Sequence, residues 1–376
     1  MRVLLDYRAA LRERSGVGEY THQLTRALVR AGGQGRGVDL TVFSSSRKDR
    51  LPADAELAGA GRVDRQIPVR LLNFAWHRLG WPSAESLTGQ SFDIVHSMHP
   101  LLMPARRAAQ VVTIHDLNFL RHPERTRAEV RRDYPALARA HAHRADRVIV
   151  VSQFTAADVT HLLDLPPDRM SVCSPGGPAW APREHTPDEG YVLFFGTLEP
   201  RKNVGGLLDA YEMLAARRRD LPQLVLAGKA TEQSTPWLER IRKAPLSGLV
   251  RHLGYIDPDK RRELYAGARM LVQPSFEEGF GLPVLEAMTV GVPVVASNAG
   301  ALPEVGGDAV RLVDAHAPET IAAEIERLLD DTALAASCVE RGFARTAHYN
   351  WDRTAADTLE AYGLALQHRQ AQRGAA

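Results

Sequence analysis

The chain has 376 residues, 44% hydrophobic and 24% charged, and its 47 Lys/Arg against 45 Asp/Glu leave a net charge of +2. That length and composition exclude a disordered chain and predict two domains of roughly 150–200 residues, each with a full core. Only two cysteines occur, Cys173 and Cys338, far apart and without CxxC or metal spacing, which excludes a disulfide framework and favours a reducing compartment. Residues 1–175 carry 25 Lys/Arg against 18 Asp/Glu, and the remainder 22 against 27. A basic first half beside an acidic second half suggests different partners for the two.

Val3–Leu5 reads as a short buried strand rather than part of a signal peptide, and no apolar run approaches the roughly 18 residues of a membrane span. A cytoplasmic location is expected. A loop with Gly16 and Gly18 follows, then an amphipathic run from Tyr20 to Arg30. Strand, glycine loop and helix would let backbone approach a ligand closely and offer it a helix N-terminus, although a tight turn explains the same residues. Further strands are expected at Val38–Phe43, Phe92–His96, Gln110–Ile114, Arg147–Ser152 and Met170–Cys173, mostly separated by helical patterns. Short apolar runs alternating with helices predict a mostly parallel sheet covered on both faces.

His115 stands at the carboxyl end of the Gln110–Ile114 strand, where ligands bind in open parallel sheets. A histidine bonded to a nearby carbonyl is the alternative, and Asp116 either fixes its tautomer or starts the next turn. Arginine is dense from Arg121 to Arg147, including Arg125, Arg127, Arg131 and Arg132. A solvated helix face accounts for it, or an electrostatic patch for an anionic acceptor or lipid surface. Tyr134 is the only aromatic there that could stack on a base, which argues against nucleic acid.

Ser174–Pro187 holds four prolines and two glycines and reads as the linker. The predicted domains are 1–178, 179–350 and a terminal helical segment, 351–376. After the linker, strands are expected at Tyr191–Phe195, Gln223–Ala227, Leu249–Leu253, Met270–Val272, Val292–Ala296 and Ala309–Val313. Helices fall between them and over Pro318–Ala347. A last helix opens at Asn350-Trp351 and runs to about Gln367, with Leu359, Tyr362, Leu364 and Leu366 available for packing; His368 onward is expected to fray.

The most informative stretch is Gln273-Pro-Ser-Phe-Glu-Glu-Gly-Phe-Gly-Leu-Pro-Val-Leu-Glu286: strand, glycine turn, then a helix with Pro283 in its first turn. Its helix end suits an anion, and Glu278 and Glu286 flank it. Gly196-Thr-Leu-Glu-Pro-Arg-Lys-Asn203 places Arg201 and Lys202 after another strand. Cations in a cleft could hold a leaving diphosphate, where a helix end alone contributes about 0.3–1 kcal/mol.

Taken in order, Gly16-x-Gly18, His115-Asp116, Gly196–Asn203, Leu253–Ile256, Glu278 with Glu286, Gly291–Ser297 and the Trp351 helix resemble the retaining GT-B glycosyltransferases of family 4, over essentially the whole chain. The resemblance implies an α/β fold of GT-B type: two Rossmann-like domains facing across a cleft, with the C-terminal helix crossing back to the first. It implies that Arg201 and Lys202 neutralise the donor diphosphate, aided by Gly281 and Leu282. Glu286 would bind the ribose, with Gly254, Tyr255 and Ile256 near the base. Glu278, Gly279, Phe280 and Gly281 would hold the sugar. His115 would lie near the reacting carbon, with Gly16, Gly18 and Gly196 around the phosphates, and cleft closure would complete the site. Family members are thought to pass the acceptor proton to a phosphate oxygen, so no separate base is expected. Asp257-Pro-Asp259 has the form of a metal-binding DxD but is read as a helix cap, and no metal or cofactor is expected.

The resemblance points to a mannosyltransferase-like enzyme of surface-glycan synthesis. Its partners would be a nucleotide-sugar donor, GDP-mannose first, and a saccharide or lipid-linked acceptor. Peripheral contact with an anionic membrane at its inner face is a further expectation. The alternatives are a UDP-sugar glucosyltransferase, a nucleotide-sugar 2-epimerase and a non-catalytic sugar-nucleotide binding subunit.

Overall fold

The computed structural model describes residues 1–374 apart from 12, 13, 15, 52, 53 and 124–127, and for 128–133 the backbone only. Arg12 of the first glycine loop, and Arg125, Arg127 and the side chains of Arg131 and Arg132, therefore lie outside the described residues. The chain forms two compact units, Met1–Gly176 with Trp351–Ala376, and Gly177–Asn350.

The first unit holds a parallel sheet of β1 (Arg2–Asp6), β2 (Asp39–Ser45), β3 (Gly61–Arg65), β4 (Ile94–Ser97), β5 (Ala109–Ile114), β6 (Arg147–Val150) and β7 (Met170–Val172). Their spatial order is β3-β2-β1-β4-β5-β6-β7. Central strands such as β4 and β5 are buried at every position, as a sheet covered on both faces requires. The edge strand β3 was not anticipated, because in Gly-Arg-Val-Asp-Arg only Val63 is buried and no apolar run marks it. The helix Val17–Gly33 buries Tyr20, Leu24, Ala27, Leu28 and Ala31, one stripe at helical spacing.

Trp351–Gly374 is one continuous helix, packed on the helix Val17–Gly33 and on β5, β6 and β7. Its inner face is built from Thr354, Ala355, Thr358, Ala361, Tyr362 and Ala365; Leu359, Leu364 and Leu366 are only half-buried. Small residues let the helix approach closely, and Tyr362 adds a bond from its hydroxyl to His96 Nδ1 at 2.7 Å. The expected fraying beyond Gln367 does not occur. His368 faces Asp146, and Arg373 donates to the Arg107 carbonyl at 2.7 Å, so side-chain bonds rather than apolar packing secure the last turns.

The second unit holds β8 (Tyr191–Phe195), β9 (Leu224–Ala227), β10 (Val250–Gly254), β11 (Ala268–Gln273), β12 (Val294–Ser297) and β13 (Val310–Val313), all parallel, in the order β10-β9-β8-β11-β12-β13. Its core packs the helices Val204–Ala215 and Pro318–Asp330 on one face, through Leu207, Leu208, Tyr211, Ile321 and Ile325. In both sheets the strand order reverses once, between β1 and β4 and between β8 and β11. Loops leaving those strand ends diverge, which opens a crevice for ligand.

Candidate active site

In the second unit the diverging loops are Gly196–Asn203, after β8, and Pro274–Gly281, after β11. Pro200–Lys202 forms a single 3-10 turn, and Asn203 sits at φ 54° as cap of the helix Val204–Ala215. Asn203 Nδ2 donates to the carbonyls of Pro274 (3.1 Å) and Ala315 (2.6 Å), and Phe276 N–H donates to the Arg201 carbonyl at 2.8 Å. These bonds tie the two loops together.

They bring three charged side chains into contact. Lys202 Nζ is 2.5 Å from Glu278 Oε1, and Arg201 Nη1 is 3.0 Å from Oε2. Oε1 also accepts from Ser275 Oγ (2.7 Å) and Gln273 Nε2 (3.1 Å), while Arg201 Nε contacts Glu199 at 2.7 Å. Three donors crowd Oε1 and one reaches Oε2, so a sugar hydroxyl would be accepted at Oε2 rather than at Oε1. Burial alone would raise the Glu278 carboxyl, but Lys202 and then Arg201 outweigh it and hold it at about 2. Burial and Arg201 push the Lys202 ammonium down, and Glu278 opposes them. Two cations fixed by two carboxylates are aimed before any ligand arrives.

Gly281 caps the helix Leu282–Val290 at φ 103°, and a Cβ there would lie 2.5 Å from Leu302 Cδ2. Only glycine fits, which leaves the helix end without a side-chain cap and open to an anion. Phe280 is buried edge-on against Tyr349, with centroids 5.6 Å apart. Glu286 lies apart from this cluster. Its Oε2 accepts from Tyr265 O–H at 2.7 Å, and Arg261 Nη1 approaches Oε1 to 3.6 Å. Gly254 ends β10, two strands from β8, and Tyr255 and Ile256 follow it; all three are half-buried. Gly196 directly follows β8 and donates its N–H to the Ala227 carbonyl at 2.9 Å. A separate cavity of about 540 Å³, lined by Arg269, Pro293, Leu328, Val339 and Phe343, opens at the amino ends of β11 and β12, opposite these loops.

In the first unit, Asp6 ends β1 buried, with Arg8 donating from Nε (2.8 Å) and Nη2 (2.7 Å). His99, beyond β4, comes within 3.4 Å. Burial would raise the Asp6 carboxyl, but Arg8 and His99 hold it far below the usual range. His115 follows β5 and meets Tyr20 edge-on, centroids 4.8 Å apart. Its Nε2 is buried without a partner among the described residues. Burial lowers its imidazole to about 4, so it is neutral at pH 7. Gly16, exposed, caps the helix that contains Gly18 in its first turn.

Residues 181–345 match the family described as Glycosyl transferases group 1, and residues 14–176 match Glycosyltransferase Family 4. O-antigen chain mannosyltransferase B of Escherichia coli is 31% identical over 371 residues, covering 93% of this chain and 96% of that protein. The chain belongs to glycosyltransferase family 4. Its fold is GT-B. Sucrose-phosphate synthase of Thermosynechococcus elongatus superposes with a TM-score of 0.72 at 21% identity over 99% of this chain and 98% of that one. Anabaena Alr3699/HepE, solved in complex with UDP and glucose, gives 0.69 at 19% over 96% and 99%.

The glycosyltransferase brings together Arg201, Lys202 and Glu278, with Gly279, Phe280, Gly281 and Leu282 on the same loop and helix end. Residues not singled out from the sequence also bear on the site of the second unit, Asn203 and Ser275 as loop anchors and Tyr265 and Arg261 on Glu286, while in the first unit Asp6, Arg8 and His99 form a contact of their own. A polar Gln273 ending an apolar strand was the available signal for its contact. Nothing local marks Arg261, whose partner is 25 positions onward. Asp257 stands at the start of the helix Pro258–Ala266, but its side chain makes no capping bond, so the expected cap is only positional. Among the described residues the one His/carboxylate group compact enough for a cation is His22, Asp54 and Glu56, where Arg26 already pairs with Glu56.

Proposed function

We propose that this glycosyltransferase moves mannose from GDP-mannose to a saccharide or lipid-linked acceptor in surface-glycan synthesis, with retention of configuration and without a metal ion. The observation that carries the donor half of this reading is the buried Lys202–Glu278–Arg201 contact at the diverging ends of β8 and β11. A departing diphosphate needs fixed positive charge, and cations held in place before reaction need no reorganisation as charge develops. Glu278 acts here mainly by aiming Lys202 and Arg201, and the open helix end at Gly281 adds its dipole. Glu286, oriented by Tyr265, accepts ribose hydroxyls. Neutral His115 offers a hydrogen bond without charge near the reacting carbon. The acceptor proton leaves through a phosphate oxygen, so no side-chain base is required.

The choice of mannose and of a surface-glycan acceptor leans on the relative named O-antigen chain mannosyltransferase B. A UDP-sugar donor is the second reading, favoured by the fold likeness to a protein solved with UDP and glucose.

Lys202→Ala tests the site. Turnover with the preferred donor is expected to fall about 10²–10³-fold, and a near-normal rate would remove Lys202 from leaving-group stabilisation. Thermal-shift screening of GDP- and UDP-sugars identifies the donor, since ligand bound to the folded state raises its apparent stability. Product anomeric configuration tests retention, and full activity in a chelator tests metal independence.

A further inference from the structure

The proposed reaction leaves unused the cavity of about 540 Å³ in the second unit. That volume falls within the range of small-molecule sites, about 300–1,000 Å³. Its walls come from linker residues 183–186, the amino ends of β11 and β12, and the helices Pro318–Asp330 and Thr332–Thr346. Met270, Pro293, Leu328, Val339 and Phe343 make them apolar. Phe343 keeps 38% of its surface exposed although its ring is tightly seated: a Cβ on Gly291 would lie 2.8 Å from Phe343 Cζ.

Such walls suit an aliphatic body, and the polar groups define its head. Arg183 and Arg269 both border the cavity half-buried. Arg183 Nη1 donates to the carbonyls of Ala266 and Ala268, and Nη2 donates to Thr186 Oγ1 at 3.0 Å. A guanidinium has five N–H groups, so Nε–H and one N–H of Nη2 are left for a ligand. Among the described residues no carboxylate pairs with Arg183, and burial pushes its guanidinium down to about 10, as expected of a cation that no neighbour neutralises. Asp220, which feels the charge of Arg269, is already bonded to Arg218 at 3.0 Å. Glu184 and Glu340 also border the cavity, but both are exposed, so water solvates their charge. They would repel a dianionic phosphate more than a singly charged carboxylate, whose two oxygens match the guanidinium fork.

We propose that this cavity binds a small carboxylic acid with an aliphatic body, its carboxylate on Arg183 and Arg269 and its chain against Met270, Leu328 and Phe343. The site stands apart from the donor loops. Gly291 lies at the far end of the nine-residue helix that begins next to Gly281, about 13 Å away at 1.5 Å per residue. An occupant would therefore touch neither Glu278 nor the end of that helix assigned to the diphosphate, and the inference does not depend on the donor.

The test is isothermal titration calorimetry of the full chain with decanoate below its micelle concentration, and with decanamide as its neutral counterpart. The wild type is expected to bind one decanoate per chain, and decanamide about tenfold more weakly or worse. Ala336→Trp fills the cavity from an exposed helix position and is expected to abolish binding of both. Arg269→Gln is expected to weaken decanoate about tenfold and leave decanamide unchanged. In both variants the thermal transition and its shift by a nucleotide-sugar should match wild type, which separates loss of this site from loss of fold and from failure of the donor reading. No saturable binding to wild type overturns the proposal, as does decanamide binding as tightly as decanoate. Decanoate binding that survives Ala336→Trp overturns it as well, because the ligand would then sit elsewhere.

Discussion

Replacing Glu278 by Gln keeps the shape of the side chain and removes the charge that Lys202 and Arg201 share. The wild-type carboxyl sits at about 2, against 4.5 for an unperturbed glutamate. Each tenfold change in proton affinity is worth about 1.36 kcal/mol, so this ionisation contributes about 3 kcal/mol to the stability of the second unit at neutral pH. The sign follows from the depressed value. The contribution is complete above pH 4.5 and is lost as pH falls toward 2; at pH 3 roughly 1.4 kcal/mol remains. Glu278→Gln should therefore be less stable than wild type by about 3 kcal/mol at pH 7, with the gap narrowing as the medium is acidified. Urea unfolding of both proteins from pH 7 to pH 3, followed by fluorescence, reads this directly. A gap independent of pH would show that the Lys202–Glu278–Arg201 contact does not work through charge.

Other perturbations separate the remaining parts of the site. Gly281→Ala should lower stability by about 1–3 kcal/mol, because its Cβ meets Leu302 and its φ is 103°; an unchanged melting temperature would refute the steric argument. Tyr265→Phe removes the hydroxyl that orients Glu286 and should raise the KM for donor several-fold with kcat preserved, whereas an equal loss in kcat would place Glu286 in the chemistry. With its imidazole at about 4, His115 should contribute no limb to the pH–rate profile between pH 6 and 8. An ionisation near pH 6.5 that disappears in His115→Gln would contradict its neutrality. Ending the chain after Gln367 removes the contacts of His368 and Arg373 and should lower the melting temperature of the first unit measurably.

The fold was readable because parallel strands buried on both faces leave continuous apolar runs, and Val111–Ile114 or Leu224–Ala227 can hardly be anything else. Where a strand lies at an edge the run disappears, as at β3. The candidate site was readable as residue types, since Arg201, Lys202 and Glu278 each follow an apolar strand, but their mutual contact was not. Distance along the chain hid it: the cations precede their carboxylate by 76 and 77 positions. The same gap concealed what Glu278 does. Set beside Glu286 in sequence, it resembles a second hydroxyl-binding carboxylate; surrounded by Lys202, Arg201, Ser275 and Gln273, it is first the counter-charge that favours the charged form of the buried Lys202 and aims both it and the half-buried Arg201. Removing it should therefore cost stability as well as rate, and Lys202→Ala, which takes away the largest stabiliser of the buried carboxylate, should cost both as well. If Glu278 served only to bind sugar, Glu278→Gln would lower the rate with little loss of stability.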